Sequence, residues 1–246
     1  MKMDFTNKTA LITGAGSGIG RAAALALSER GARVVVCGRR EAPLQAVLEA
    51  SAGEVLLHTL DVTDTEAVDA LPASLPDDWR EIDFLINNAG HEVGGRKRFD
   101  EGSADEWAAI LETNVLGMFR VSRAIVPGMV ARGCGHVVNI GSTSGLTAGA
   151  TRTAYAASKH AVHGFSKSLR MDYAGTGIRV SEIMPGIVRT DFAEARSGDA
   201  EQAQKFYDSF DDSMEPEDIA EAIIYALSQP ARVNVAQIVL MQSSMK

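Results

Sequence analysis

The chain of 246 residues carries 24 Lys and Arg against 32 Asp and Glu, a formal net charge of -8. That balance argues against nucleic acid as the main partner, because binding phosphates needs a basic face. With 46% hydrophobic and 23% charged residues, the composition is that of a globular protein with a sizeable core, not of a disordered or collagen-like chain.

Along the chain, short apolar runs of strand length alternate with longer stretches of helical period. The opening residues Met1 to Lys8 lack the apolar core of a signal peptide, and no apolar run approaches the roughly 18 residues of a membrane span. A cytoplasmic protein with no membrane partner is expected. Thr9 to Thr13 reads as the first strand and runs into Thr13-Gly14-Ala15-Gly16-Ser17-Gly18-Ile19-Gly20, after which a helical period runs from Ile19 to Arg30. Glycines there let the backbone turn tightly and approach a diphosphate, and the unpaired N-H groups at a helix start supply positive potential. The spacing of Gly14, Gly18 and Gly20 is G-x-x-x-G-x-G, not the commoner G-x-G-x-x-G.

The second strand, Arg33 to Cys37, is followed by Gly38-Arg39-Arg40. A carboxylate at this point would hold the adenosine ribose hydroxyls and repel a 2'-phosphate. Two guanidiniums suit a phosphate instead, which favours NADP over NAD, although Arg40 taken alone also reads as a surface residue. Val55 to Leu60 reads as the third strand, closed by Asp61-Val62, and Phe84 to Asn87 as the fourth, closed by Asn88-Ala89-Gly90. Ligands of open α/β sheets sit beyond the carboxyl ends of the strands, where these motifs all fall. His91 and Glu92 follow directly, and a polar strand-end role is the simpler reading of His91.

A long helical period covers Ala104 to Ala131, then a strand His136 to Ile140 leads to Ser142 and Ser144. Tyr155 and Lys159 stand four apart at the start of the next helix, Ala154 to Tyr173, and so share one face. A neighbouring ammonium lowers a phenol's pKa from about 10 toward neutrality, where it exchanges protons at useful rates. His160 and His163 on the same helix have no third ligand nearby, and Cys37 and Cys134 form no ligand cluster, so no metal is expected. The sixth strand is Arg179 to Ile183, a helix covers Pro216 to Leu227, and Gln237 to Met241 reads as the last strand.

Between Asp191 and Asp218 the alternation breaks, and ten acidic residues face only Arg196 and Lys205. The surplus equals the net charge of the whole chain. Either it is a solvated surface excursion or it belongs to a substrate lid at about 189-215. Nearly all-apolar strands alternating with helices give an α/β fold: a single doubly wound Rossmann domain over residues 1-246, with a seven-stranded parallel sheet and helices on both faces.

Thr13 to Gly20, Asp61, Asn87-Asn88-Ala89-Gly90, Asn114, Ser142, Tyr155 with Lys159, and Pro185-Gly186 occur in an order and at separations that resemble the short-chain dehydrogenase/reductase family over essentially the full length. The resemblance implies that Tyr155 is the general acid in reduction and the base in oxidation, and that Ser142 hydrogen-bonds the substrate oxygen. Lys159 would lower the Tyr155 pKa and hold the nicotinamide ribose, and Asn114 would support a water in a proton relay. The implied NADP site comprises Gly14, Ser17, Gly18, Ile19, Gly20, Arg39, Arg40, Asp61, Val62, Asn88, Ala89, Gly90, Tyr155, Lys159, Pro185, Gly186, Val188 and Thr190. No G-x-S-x-G elbow is present, and Ser142 has no evident His and acid partners, which sets serine-hydrolase chemistry aside.

Further residues, among them Gly38-Arg39-Arg40, Thr190-Asp191-Phe192, Arg196-Ser197-Gly198-Asp199 and Val233-Asn234-Val235, look like the NADP-dependent group acting on serine and other 3-hydroxy acids. The pattern also occurs in reductases of sulfonated aldehydes. Gln242 stands where that group usually has a proline. An acidic substrate calls for a buried arginine, for which Arg196, Arg189 and Arg152 are the candidates and Arg196 is favoured, with Ser142 and Tyr155 completing the substrate contacts. Neutral or bulky carbonyls such as 3-oxoacyl groups, and a non-catalytic NADP(H)-binding sensor, are the alternative readings. The resemblance also implies a homotetramer or homodimer packed through the two long helices.

Overall fold

The computed structural model describes residues 3-210 and 212-244. Seven strands, β1 (Thr9–Thr13), β2 (Arg33–Gly38), β3 (Val55–Thr59), β4 (Phe84–Asn87), β5 (Gly135–Ile140), β6 (Ile178–Pro185) and β7 (Gln237–Leu240), form one sheet in the order β3-β2-β1-β4-β5-β6-β7. Every pairing is parallel. The helices are α1 (Gly18–Ser28), α2 (Glu41–Ala50), α3 (Thr65–Ser74), α4 (Ala104–Leu111), α5 (Met118–Arg132), α6 (Thr153–Asp172), α7 (Phe192–Ser197), α8 (Ala200–Asp208) and α9 (Pro216–Ser228). Strands β1 and β4 have the limits read from the sequence, and the other five differ by one or two residues.

Period-two side chains explain why the central strands are apolar throughout. Ile12, Val34, Val36, Ile86 and Val138 face one way and pack with α1, α2 and α9, whereas Leu11, Val35, Leu85, Val137 and Val180 face the other way against α3, α5 and α6. Helix α1 buries Ala22, Ala23, Ala24 and Ala26, small side chains that let it lie close to α9. Asn87 does not point toward the carboxyl ends. Its amide donates to Ser122 and Asn139, and Asn139 donates to Ser166, so a buried polar chain ties β4 and β5 to α5 and α6.

The helix expected over Ala104 to Ala131 is interrupted. Residues Glu112–Gly117 form a π turn between α4 and α5, and Asn114 is buried within it. A π turn widens the helix and releases its regular hydrogen-bond register, a feature common at functional sites. Gly117 is the close-packed end of this turn, because a Cβ there would lie 2.6 Å from a Val62 methyl. No helix of the described residues is long and apolar enough to cross a membrane.

Candidate active site

The strand order reverses between β1 and β4, and the crevice opened there runs along the carboxyl ends of the strands. It is a cleft of about 390 Å³. Every residue assigned above to the cofactor except Gly20 lines it, as do Ser142 and Arg196, while Asn114 is set back from its wall.

The glycine loop is shaped by contacts that only glycine permits. Gly14 has φ +65, and a Cβ on it would lie 2.9 Å from the Ala89 backbone; Gly18 has φ +51 against Thr190. Gly20 is a correction to the sequence reading, since it does not line the cleft. A Cβ there would meet the Gly14 carbonyl and the Asn88 amide, so this glycine lets α1 start hard against the loop. Asn88 holds that loop by donating to the carbonyls of Thr13 and Gly14, both at 3.0 Å, and Thr13 Oγ1 accepts from the backbone of Asn88 and Ala89. Ser17 precedes the helix without capping it, and the first turn of α1 contains no acid. Its N-H groups therefore remain open to an anion.

Arg39 and Arg40 are exposed at the cleft edge, and neither makes a hydrogen bond or ion pair among the described residues. Asp61 accepts from the Thr63 backbone at 2.9 Å and the Thr63 hydroxyl at 2.8 Å. Burial alone would raise its pKa, but these bonds and the nearby Arg39 and His91 outweigh it and hold the carboxyl below its ordinary value. At the far end of the sheet, Val188 bridges to Met214, and the Thr190 backbone exchanges two hydrogen bonds with the Tyr207 hydroxyl. Gln242, which is not among the site residues expected from sequence, is buried beneath Gly186; its Oε1 lies 3.1 Å from where a Gly186 Cβ would stand.

Ser142, Tyr155 and Lys159 are all buried. Ser142 follows β5 by two residues and its Oγ accepts the Ser144 N-H at 3.1 Å, which leaves the hydroxyl proton free for the Tyr155 phenol oxygen. Lys159 Nζ donates to the Ile140 carbonyl at 3.0 Å and lies 5.8 Å from the centre of the Tyr155 ring. Burial pushes its pKa down to about 8, opposed by the buried carboxylate of Glu182. The phenol of Tyr155 does not have the lowered pKa expected from its spacing to Lys159. Burial raises it, with the Ser142 hydrogen bond and the charges of Arg152 and Arg196 acting the other way. Lys159 is not among the charges acting on the phenol, and its ammonium donates to the Ile140 main-chain carbonyl.

Asn114 is held in place through its side chain. Its side chain accepts the His91 N-H at 2.8 Å and donates to the His91 carbonyl at 2.9 Å and to Ser158 Oγ at 3.1 Å. These bonds brace the loop after β4 against α6, and the side-chain amide is committed to them.

Arg196 is 9% exposed, beside Glu92, which is 3% exposed, with 3.5 Å between Nη1 and Oε2. Arg152 lies with Cζ 5.2 Å from the Tyr155 ring centre. Arg189 is not on the cleft wall; its guanidinium faces Glu215 and Asp208 at 3.8 and 4.0 Å. Arg96, which carries no sequence signal, is on the wall.

The family model described as short chain dehydrogenase matches residues 8–201. The chain belongs to the short-chain dehydrogenase family. This short-chain dehydrogenase is 40% identical over 233 residues to the NADP-dependent 3-hydroxy acid dehydrogenase of Salmonella typhi, covering 94% of this chain and 93% of the relative. Among solved structures it resembles the closed form of serine dehydrogenase complexed with NADP+, with a TM-score of 0.93, 36% identity, and 97% and 96% of the two chains covered. Serine dehydrogenase from Escherichia coli matches with a TM-score of 0.84 and 34% identity over 97% of this chain and 99% of the other. Family membership makes the protein an oxidoreductase.

Proposed function

We propose that this short-chain dehydrogenase uses NADP to interconvert an alcohol and a carbonyl in a small anionic substrate, a 3-hydroxy acid or a sulfonated aldehyde. The observation that carries the reading is the buried Arg196, in the same cleft as Arg152, Ser142 and Tyr155. A carboxylate or sulfonate seated on these guanidiniums would bring the carbonyl oxygen toward the two hydroxyls.

The cofactor fits the cradle. The close approaches at Gly14 and Gly18 leave room for a diphosphate over the start of α1, and the two unpaired guanidiniums of Arg39 and Arg40 suit a 2'-phosphate. When bound, the cofactor supplies the hydride and, in its oxidised form, a positive charge. Tyr155 gives its proton to the substrate oxygen in reduction and takes it back in oxidation, and Ser142 holds that oxygen by a hydrogen bond. Arg152 and Arg196 favour the phenolate, against the burial that opposes it.

Helices α7 and α8 build a small core of their own, Ala193, Ala203 and Tyr207 with Ile187 and Phe206, which supports a lid over the substrate. Leu116 and Phe119 remain exposed where α5 begins, which supports association through the long helices. Light scattering tests that part. For the activity, NADPH oxidation is measured against neutral ketones, 3-oxo acids and sulfonated aldehydes. Turnover of the acidic compounds with the lowest KM supports the proposal; equal or better KM for the neutral ones overturns the anionic substrate, and tight NADPH binding with no turnover supports a sensor.

A further inference from the structure

Three guanidiniums converge on the substrate end of the cleft. Arg96, Arg152 and Arg196 all line it. Arg196 and Arg96 lie with Cζ 4.6 and 4.9 Å from the centre of the Phe206 ring, and Arg152 lies over Tyr155. Several arginines elsewhere are paired: Arg33 meets Glu54 and Asp78, Arg30 meets Glu221, and Arg120 meets Glu112, all within 3.1 Å. Among the described residues, none of the three guanidiniums at the cleft donates a hydrogen bond to the protein. Their carboxylate neighbour among the described residues is Glu92, whose Oε2 is buried without a hydrogen bond and stands 3.5 Å from Arg196. Asp191 also lies on the cleft wall; like Arg96 it is exposed, and it is not among the charges acting on Arg96 or Tyr155.

We infer that the substrate carries a doubly charged oxyanion head group, a phosphonate or phosphate monoester, held by Arg96, Arg152 and Arg196 together. This rests on the NADP-dependent carbonyl chemistry proposed above, since the head group is placed beside the same Tyr155, and it names a dianion in place of the carboxylate or sulfonate. Three cations against one carboxylate among the described residues leave two positive charges uncompensated, at a site where Arg196 is buried, Arg152 partly buried and Arg96 exposed. A carboxylate or sulfonate offsets one of them and a dianion offsets both. Shape sets the carboxylate aside, because three terminal oxygens can each meet a different guanidinium and a carboxylate has two; a sulfonate shares that shape, so charge alone separates it from the dianion. The crowding of charge registers on Arg96 itself, whose pKa is lowered first by burial and then by Arg196 and Arg152.

The test separates charge from size. Methylphosphonate and methanesulfonate are similar in shape and differ by one charge above the second phosphonate ionisation. Their binding to the protein saturated with NADPH is measured by calorimetry at such a pH, with methyl phosphate as the arm that distinguishes an ester from a phosphonate. The expected result is that at least one dianion binds about tenfold tighter than methanesulfonate, or about 1.4 kcal/mol. Arg96→Gln should remove that preference and Arg96→Lys should retain most of it. Equal affinities, or a preference untouched by Arg96→Gln, overturn the inference. Turnover of a neutral aldehyde, 3,3-dimethylbutanal, is followed in parallel. Turnover with equal binding refutes the head group alone; tight dianion binding with no turnover of any aldehyde leaves the pocket standing and refutes the activity.

Discussion

Replacing Lys159 with Met isolates the energetic cost of the buried ammonium. Burial lowers the lysine from 10.5 to about 8 in the folded protein, with Glu182 opposing the shift. At about 1.4 kcal/mol per unit this is about 3 kcal/mol of penalty on the charged form. Below pH 8 the lysine is charged in both the folded and unfolded states, so the full penalty is present and stability does not change with pH on its account. Between pH 8 and about 10.5 the unfolded chain still holds the proton that the folded chain has released, so the wild type gains stability as pH rises. The thioether of the Lys159→Met variant cannot titrate. It leaves the Ile140 carbonyl without the donor seen at 3.0 Å, an offset of about 1 kcal/mol that is the same at every pH. Urea denaturation of both proteins across this range should therefore show the wild type gaining about 3 kcal/mol relative to the variant, or roughly 2-4 °C of Tm per kcal/mol. Parallel profiles, or a wild type that loses stability relative to the variant, would refute the assignment of a charged, desolvated lysine.

Other outcomes follow from single contacts. Arg39→Ala should weaken NADPH binding about ten- to a hundredfold and leave NADH nearly unchanged, as expected for one charge-assisted phosphate contact; an unchanged ratio of the two dissociation constants would contradict it. Gly20→Ala forces a methyl against the Gly14 carbonyl and the Asn88 amide, so it should cost about 1-3 kcal/mol and also weaken cofactor binding, read by thermal melting with and without NADPH. Asn114→Ala releases the His91 amide, and hydrogen exchange at that amide should accelerate well beyond the change in global stability.

The sheet and the glycine cradle were legible because burial on both faces forces apolar strands, and because Gly14 and Gly18 sit where a Cβ has no room. The π turn was not, since the apolar period runs through Glu112–Gly117 without a break in pattern. Arg96 lies in an irregular loop and meets Arg152 and Arg196 only after the chain folds. Glu182 was equally invisible: fully buried, it accepts from His163 at 2.8 Å and faces Lys159 from behind, across two elements far apart in sequence. The acidic segment shows how charge counted along a sequence differs from charge facing a site. Asp199 caps α8, Glu215 and Asp218 form a capping box on α9, and Asp212 accepts from Ser243 and Ser244. Most of its acids therefore serve helix ends and solvent, while the site they surround is cationic.

Tyr155→Phe tests the central claim most directly, because it deletes only the oxygen that moves the proton and keeps the buried ring against Phe192. NADPH binding is measured by fluorescence and NADPH oxidation with the best substrate of the panel. Near-native cofactor binding with turnover reduced by at least about a thousandfold is the predicted result, as for loss of a general acid; full activity in the variant would contradict the account.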